Sequence, residues 1–318
     1  MKLTNNLLIL PEKTSDIKKI LQDAAADEKK ISKTIGITGI SRIATASNVS
    51  LTDFIFTGLS ALDNKYNHVF SKVDALIVVS QTYDHRIPSI STRVQSKFNL
   101  PSDIFCIDIM DGCAGYIKAL KVASLLELKG YKKIMIIAGE INSLMTSKSD
   151  VGTKILFGDG VSVSIIEADN SSFDSIILNN GDHKNTISCN IKDNIFKMNG
   201  VEVFNFTRHK VPSLINKFLE KTKKSLKHYD LFAVHQASKL VVDNICSTLN
   251  YQNKLGDNFL CGNIGNLQSG SIGAWLANIK DLDKKDKINM LATGFGAGIS
   301  WGVASIVVEI NKNEIIYV

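Results

Sequence analysis

The chain has 318 residues, is 44% hydrophobic and 21% charged, and carries a formal net charge of +6, mostly from lysine. This is ordinary for a soluble globular protein with a large core, built as one large α/β unit or two similar-sized halves. Its five cysteines are scattered with no CxxC pair, which argues against a disulfide scaffold and a zinc site and points to a reducing cytoplasm.

In chain order, MKLTNNLLILPEK holds a four-residue apolar run without a cleavage site, so no signal peptide is expected. Residues 13–33 read as an amphipathic helix and Ile35–Arg42 as a strand-to-loop segment. Asp53–Tyr66 reads as a helix, Val73–Ser80 as a buried strand, Gln81–Ser91 as a loop and Arg93–Phe98 as a short helix. Ile104–Met110 is a buried strand, broken at Asp111-Gly112, and a largely buried helix follows up to Gly130. Lys132–Gly139 is a strand, and Ile155–Glu167 turns through Gly158-Asp159-Gly160 into another. The second half offers a short strand at Ile176–Leu178 and a long helix from about Val201 to Lys227 that Pro212 bends or divides. Asp230–Val234 is a strand, Ser238–Leu249 a helix, Asn258–Cys261 a short strand or loop, Gly262–Asn266 a turn and Ser269–Ile279 a helix. Ile288–Val308 is long enough to raise a membrane span, but its glycines break it into the strands Lys287–Thr293 and Ser300–Ile310. Each half alternates buried strands with helices and ends on strands. That predicts α/β sheets covered on both faces, divided at residues 1–168 and 169–318.

Chemistry concentrates at strand ends. Cys113 stands where a strand gives way to a helix N-terminus, whose backbone N–H groups and dipole favour a thiolate. A cysteine that only packs is the alternative, but Gly112 and Gly115 clear side chains from around the sulfur, as a reacting centre needs. His235 ends the strand DLFAV, an edge where α/β proteins place ligands. Asn266 and Asn263 both follow glycine in the turn before the Ser269 helix, and the glycine turn Gly294–Gly298 can bring backbone N–H groups to a bound acyl group. Together these describe a cysteine nucleophile with an imidazole, an amide and a backbone donor. Arg208, Lys210, Lys217, Lys221, Lys223, Lys224 and Lys227 crowd one predicted helix, as a solvated face or a docking patch for an acidic partner. Sparse aromatics, hardly interleaved with these lysines, speak against nucleic acid.

In order, DGCAGYIKAL, LFGDGVSV, NGVEVFNF, VHQAS, GNLQSGSIGA and GFGAGISWG resemble motifs of the β-ketoacyl-acyl-carrier-protein synthase III family, of the thiolase superfamily, from about Thr38 to the C-terminus. The resemblance implies a thiolase-like fold of two similar halves in five layers, αβαβα, and a homodimer. It implies a cytoplasmic condensing enzyme of fatty acid biosynthesis, partnered by acyl carrier protein, with acyl-CoA or acyl-carrier thioesters as substrates and no metal or redox cofactor. The family's reactive set falls on Cys113, His235 and, by the S-x-S spacing that follows, Asn266. The oxyanion hole falls on the backbone N–H of Cys113 and Ala297, the acyl pocket and dimer gate on Ile87 and Phe204, and carrier docking on Arg208, Lys210, Lys217 and Lys221. There are departures. The adenine clamp expected near Lys33 and Ile37 is absent, HQAN has become HQAS with Ser238, and Leu267-Gln268 replaces a small or hydroxylated pair. Ile87 replaces a large aromatic, which implies a wider pocket. Two competing readings keep the fold: transfer of the acyl group from Cys113 to an alcohol or amine without decarboxylation, and a non-catalytic partner subunit.

Overall fold

The run that opens the chain becomes a central strand, β1 (Lys2–Leu10). In this computed structural model, residues 1–66, 70, 72–147, 149–181, 186–252, 259–284, 287–296 and 299–318 are described. A short pair, β2 (Thr14–Asp16) and β3 (Arg42–Ala44), brackets two helices, α1 (Ile17–Asp23) and α2 (Glu28–Thr38). The single helix predicted over 13–33 is therefore divided, because Asp16 and Asp27 each cap a new N-terminus through the N–H of Lys19 and Lys30. The segment expected to begin a strand at Ile35 instead finishes α2, which ends at Gly39 with φ +70°.

Next come α3 (Leu51–Tyr66), β4 (Ala75–Val79), α4 (Ile90–Lys97), β5 (Phe105–Ile109), α5 (Gly115–Leu128), β6 (Lys133–Glu140), α6 (Val151–Lys154) and β7 (Gly160–Glu167). The rest comprises β8 (Asp174–Asn179), β9 (Ile187–Cys189), β10 (Phe196–Met198), α7 (Gly200–Thr222), β11 (Leu231–Val234), α8 (Lys239–Thr248), α9 (Ser271–Asn278), β12 (Ile288–Gly296) and β13 (Ser300–Tyr317). Pro212 does not divide α7, which runs unbroken past it. Part of the predicted Asn258–Cys261 segment lies outside the described residues, and Phe259–Cys261 forms no strand. Among the described residues no helix is long and apolar enough to cross a membrane.

Nine strands share one hydrogen-bonded sheet in the order β11-β12-β13-β1-β7-β6-β4-β5, with β8 also on β13. The two halves join because β13 serves two neighbours in succession. Ser300–Ser305 pair with β8, whereas Val307 and the residues beyond pair in parallel with β1. Alternation along the strands sorts side chains into layers. Ala75, Ile77 and Val79 of β4 face a middle core shared with α5 and α9, while Leu76 and Val78 face an outer core under α3 and α4. Leu231 and Ala233 of β11 also face the middle, and Phe232 and Val234 face the outer core under α7 and α8. The order is thus αβαβα. The middle helices are mostly apolar because sheet lies on both sides; Tyr116 and Trp275 are fully buried there. The C-terminal ends of β4, β5, β6, β11 and β12 carry the groups described next.

Candidate active site

Cys113 sits on the tight turn between β5 and α5, where the Gly115 N–H donates to the Gly112 carbonyl at 2.7 Å. Asp111 accepts from the Gly112 N–H and pairs with Lys118 at 2.6 Å, which pins the turn to the first turn of α5. The glycine that makes room for the sulfur is Gly296. A Cβ there would lie 2.7 Å from Cys113 Cβ and 2.9 Å from its Sγ, and one on Gly294 would lie 2.7 Å from the Cys113 carbonyl oxygen. Gly115 instead lets the helix close on β4, where a Cβ would meet Val79 at 2.4 Å. The strand β12 therefore lies bare against Cys113.

The thiol is not ionised at rest. Burial pushes its pKa well above the ordinary value, and the carboxylates of Glu140 and Asp111 push it further. The helix terminus, expected to favour a thiolate, is outweighed by desolvation.

His235 follows β11 and continues its ladder, donating its backbone N–H to the Thr293 carbonyl at 2.9 Å. Its ring meets the Phe295 ring edge-on at 5.2 Å, so β12 touches both cysteine and histidine. The ring is 1% exposed, and burial lowers its pKa to about 3, so it is neutral near pH 7. Its Nδ1 lies 2.9 Å from Ser271 Oγ, which also accepts the Gln236 N–H at 2.7 Å. Among the described residues Nδ1 is the one acceptor within reach of the Ser271 hydroxyl proton. The hydroxyl therefore donates to Nδ1, and the ring keeps its own proton on Nε2.

Asn266 is held by two glycine turns set back to back. Its N–H donates to the Leu156 carbonyl and its carbonyl accepts the Gly158 N–H. Gly265, at φ +80°, leaves 2.9 Å between a notional Cβ and the Gly158 nitrogen. The Asn266 Oδ1 accepts the Gln268 N–H at 2.8 Å, which turns Nδ2 outward as a donor. Asn263, by contrast, is exposed, with its Oδ1 taken by Ser41. One turn, Gln268–Ser271 at the entry to α9, therefore orients both the amide and the imidazole.

Sequence reasoning used that turn only for its spacing and missed its orienting role, and it missed Glu140. This carboxyl ends β6, is fully buried, and accepts from Ser80, Thr82, the Gln81 N–H and Ser269. Desolvation raises its pKa against the pull of those donors. Its signal was available, since IMIIAGE ends an apolar strand on a polar residue just as DLFAVH does.

The remaining expected residues lie further out. Ala297 lies outside the described residues. Ile87 is 86% exposed and faces away from its own chain, while Phe204 packs at the edge of the outer core under α7. Neither lines the cavity of about 1080 Å³ that opens beside the β5–α5 turn between Gln81, Tyr83, Asp108, Met110 and Asp111. Ser238 caps α8 by accepting the Val241 N–H, and Leu267 is fully buried. Arg208, Lys210, Lys217 and Lys221 are all exposed on α7. At about 100° per residue the three lysines fall within about 40° of one another, with Arg208 on the opposite flank.

Residues 107–181 match the family model of 3-oxoacyl-[acyl-carrier-protein] synthase III, and residues 219–308 match its C-terminal model. A β-ketoacyl-[acyl-carrier-protein] synthase III of Acholeplasma laidlawii is 30% identical over 272 residues, covering 84% of this chain and 86% of the relative. One from Streptococcus agalactiae is 28% identical over 293 residues, covering 86% and 88%. Among solved structures, a 3-oxoacyl-(acyl-carrier protein) synthase from Burkholderia xenovorans superposes with a TM-score of 0.89 at 24% identity, over 100% of this chain and 97% of that one. The synthase III of Aquifex aeolicus gives 0.85 at 21% identity, over 96% and 98%. With two family models matched along the chain and a 30% identical relative aligned over 84% of it, the chain belongs to the 3-oxoacyl-[acyl-carrier-protein] synthase III family.

Proposed function

We propose that the protein loads an acyl group onto Cys113 and condenses it with a malonyl thioester, giving a 3-oxoacyl thioester. In the first half-reaction Cys113 Sγ attacks the incoming thioester carbonyl and the old carbon–sulfur bond breaks. The thiol proton leaves with the departing thiol, so protons balance and no permanent thiolate is needed. The Cys113 N–H and that of Ala297 are the proposed donors to the oxyanion.

In the second half-reaction the malonyl carbon–carbon bond breaks, carbon dioxide departs and the electron pair moves to the thioester oxygen. His235 Nε2–H and Asn266 Nδ2–H donate to that oxygen. The enolate carbon then attacks the acyl carbonyl, the bond to Cys113 breaks, and the sulfur takes a proton from water. A ring kept neutral with its proton on Nε2 suits a hydrogen-bond donor, and it is unsuited to deprotonating Cys113. No step calls for a metal or a redox group. The observation that carries the proposal is the pair of donors fixed by one turn, Gln268 N–H on Asn266 and Ser271 Oγ on His235.

Exposed Lys33 and Ile37 offer no aromatic or arginine clamp for an adenine, which favours a carrier protein over coenzyme A as acyl donor. The lysine flank of α7 is the proposed dock. A second copy is the proposed cover for edge strand β5, whose residues are all only half-buried and which runs into Met110, 74% exposed. The test is Cys113→Ala. No acyl adduct and no 3-oxoacyl product should form, and formation at the wild-type rate would sink the proposal. Acyl-Cys113 forming without carbon dioxide release from malonyl-carrier protein would instead favour simple acyl transfer.

A further inference from the structure

The strongest unexplained feature of the site is an oxygen. Gln268 is 1% exposed and holds φ +48°, a conformation uncommon for a residue with a side chain. Its amide orientation follows from a chain of hydrogen bonds. The Asn142 Nδ2 donates to the Gly158 carbonyl at 2.6 Å, which leaves Asn142 Oδ1 as an acceptor, and Gln268 Nε2 donates to it. Gln268 Oε1 is thereby turned away and has no donor among the described residues. It points at the bare face of Gly112, the neighbour of Cys113, where a notional Cβ would lie 3.2 Å from it. A second carboxamide oxygen, Gln81 Oε1, converges on the same face at 2.5 Å from that position. Gln81 also lines the cavity of about 1080 Å³ beside Met110 and Asp111.

Two acceptors over the nucleophile turn, one of them buried and unpaired, make a poor seat for an alkyl chain. An alkyl chain would leave the orphan oxygen, already shielded from water, still without a donor. A hydroxyl or an N–H on the ligand would complete it. We propose that Gln268 Oε1, with Gln81 Oε1 beside it, accepts a hydrogen bond from the acyl group carried on Cys113. The acyl substrate is then one with a hydroxyl, amine or amide N–H within a few bonds of the thioester carbonyl, in preference to a plain alkyl chain. The inference rests on acylation of Cys113 and deepens that reading by naming the substrate class.

The test uses the wild-type protein with matched pantetheine thioesters, butyryl against 3-hydroxybutyryl, and reads the initial rate of the mass adduct on Cys113. The hydroxylated chain should load about 10- to 100-fold faster, the discrimination expected when a buried acceptor is left unpaired by the wrong ligand. Gln268→Leu should bring the ratio to about one, chiefly by speeding the butyryl ester. A ratio near one in the wild type overturns the proposal without touching the acyl-enzyme reading, and it needs no variant to fold. If the wild type shows no preference and Gln268→Leu slows both esters equally, the oxygen binds the pantetheine arm and the proposal is likewise wrong. An absence of any adduct with either ester removes the acyl-enzyme reading and this inference with it.

Discussion

Ser271→Ala separates the two half-reactions. The Ser271 hydroxyl joins two buried groups, accepting from the Gln236 N–H at 2.7 Å and donating to His235 Nδ1 at 2.9 Å. Removing it leaves a buried donor and a buried ring nitrogen unpaired, at about 1–3 kcal/mol each, so stability should fall by roughly 2 kcal/mol or more. The ring also loses the partner that holds its proton on Nε2. The hydrogen bond to the developing enolate, worth about 1.5–3 kcal/mol because its acceptor is charged, is then lost or misdirected. Decarboxylation and condensation should slow by about 10- to 100-fold. Loading of Cys113 uses neither nitrogen of His235 and should change by less than about threefold. The assay pairs carbon dioxide release from malonyl-carrier protein with intact-protein mass spectra of the acyl adduct, on variant confirmed folded by urea titration. A variant that loads and condenses at wild-type rates would refute the tautomer argument. Equal loss in both half-reactions would mean that Ser271 only supports the fold.

The lowered pKa of His235, about 3 in the fold against 6.5 for the free side chain, predicts an acid-side loss of stability. Below pH 6.5 the unfolded chain takes up a proton that the folded one refuses. Stability is therefore full above that value and falls by about 1.4 kcal/mol per unit as pH drops from 6.5 toward 3. Urea titrations of His235→Gln should show that slope reduced by about one proton, and an unchanged slope would contradict the burial argument. Decarboxylation by pre-acylated enzyme should likewise show no inflection near pH 6.5. Lys217→Glu with Lys221→Glu should raise the KM for carrier-borne substrate severalfold at low salt and little at high salt, and an unchanged KM at low salt would remove α7 as the dock. Light scattering should give a dimer mass, and Met110→Asp at the uncovered end of β5 should shift it toward the monomer; a monomeric wild type would count against the partner copy.

The positions of Cys113 and His235 are legible in the sequence because each follows a short apolar run that reads as a strand, although β5 proves to be a half-buried edge strand where a buried one is expected. The strand β1 is not legible, since Thr4, Asn5 and Asn6 interrupt it as a loop would. Its place becomes intelligible only when Asn6 is seen bonded to the Gly273 carbonyl and to Asn313, from elements more than 250 residues away. The break between α1 and α2 is written in Asp27, a capping residue hidden inside a continuous amphipathic pattern. Protonation states are the least legible of all. Placing a cysteine at a helix N-terminus argues for a thiolate, and only the burial around Cys113, with Glu140 and Asp111 nearby, reverses the sign. Ser271 and Gln268 look like unremarkable turn residues until their partners, distant in sequence, are in place.

The parallel pairing of β1 with β13 has a consequence for how the protein comes to be folded. Leu10 sits opposite Tyr317, so the centre of the sheet is stitched from strands far apart in sequence. During synthesis β1 must wait, with its apolar edge open on one side, until β13 has left the ribosome. Such long-range closure makes for slow maturation, and a chain cut short after Val308 would leave that edge as a template for self-association.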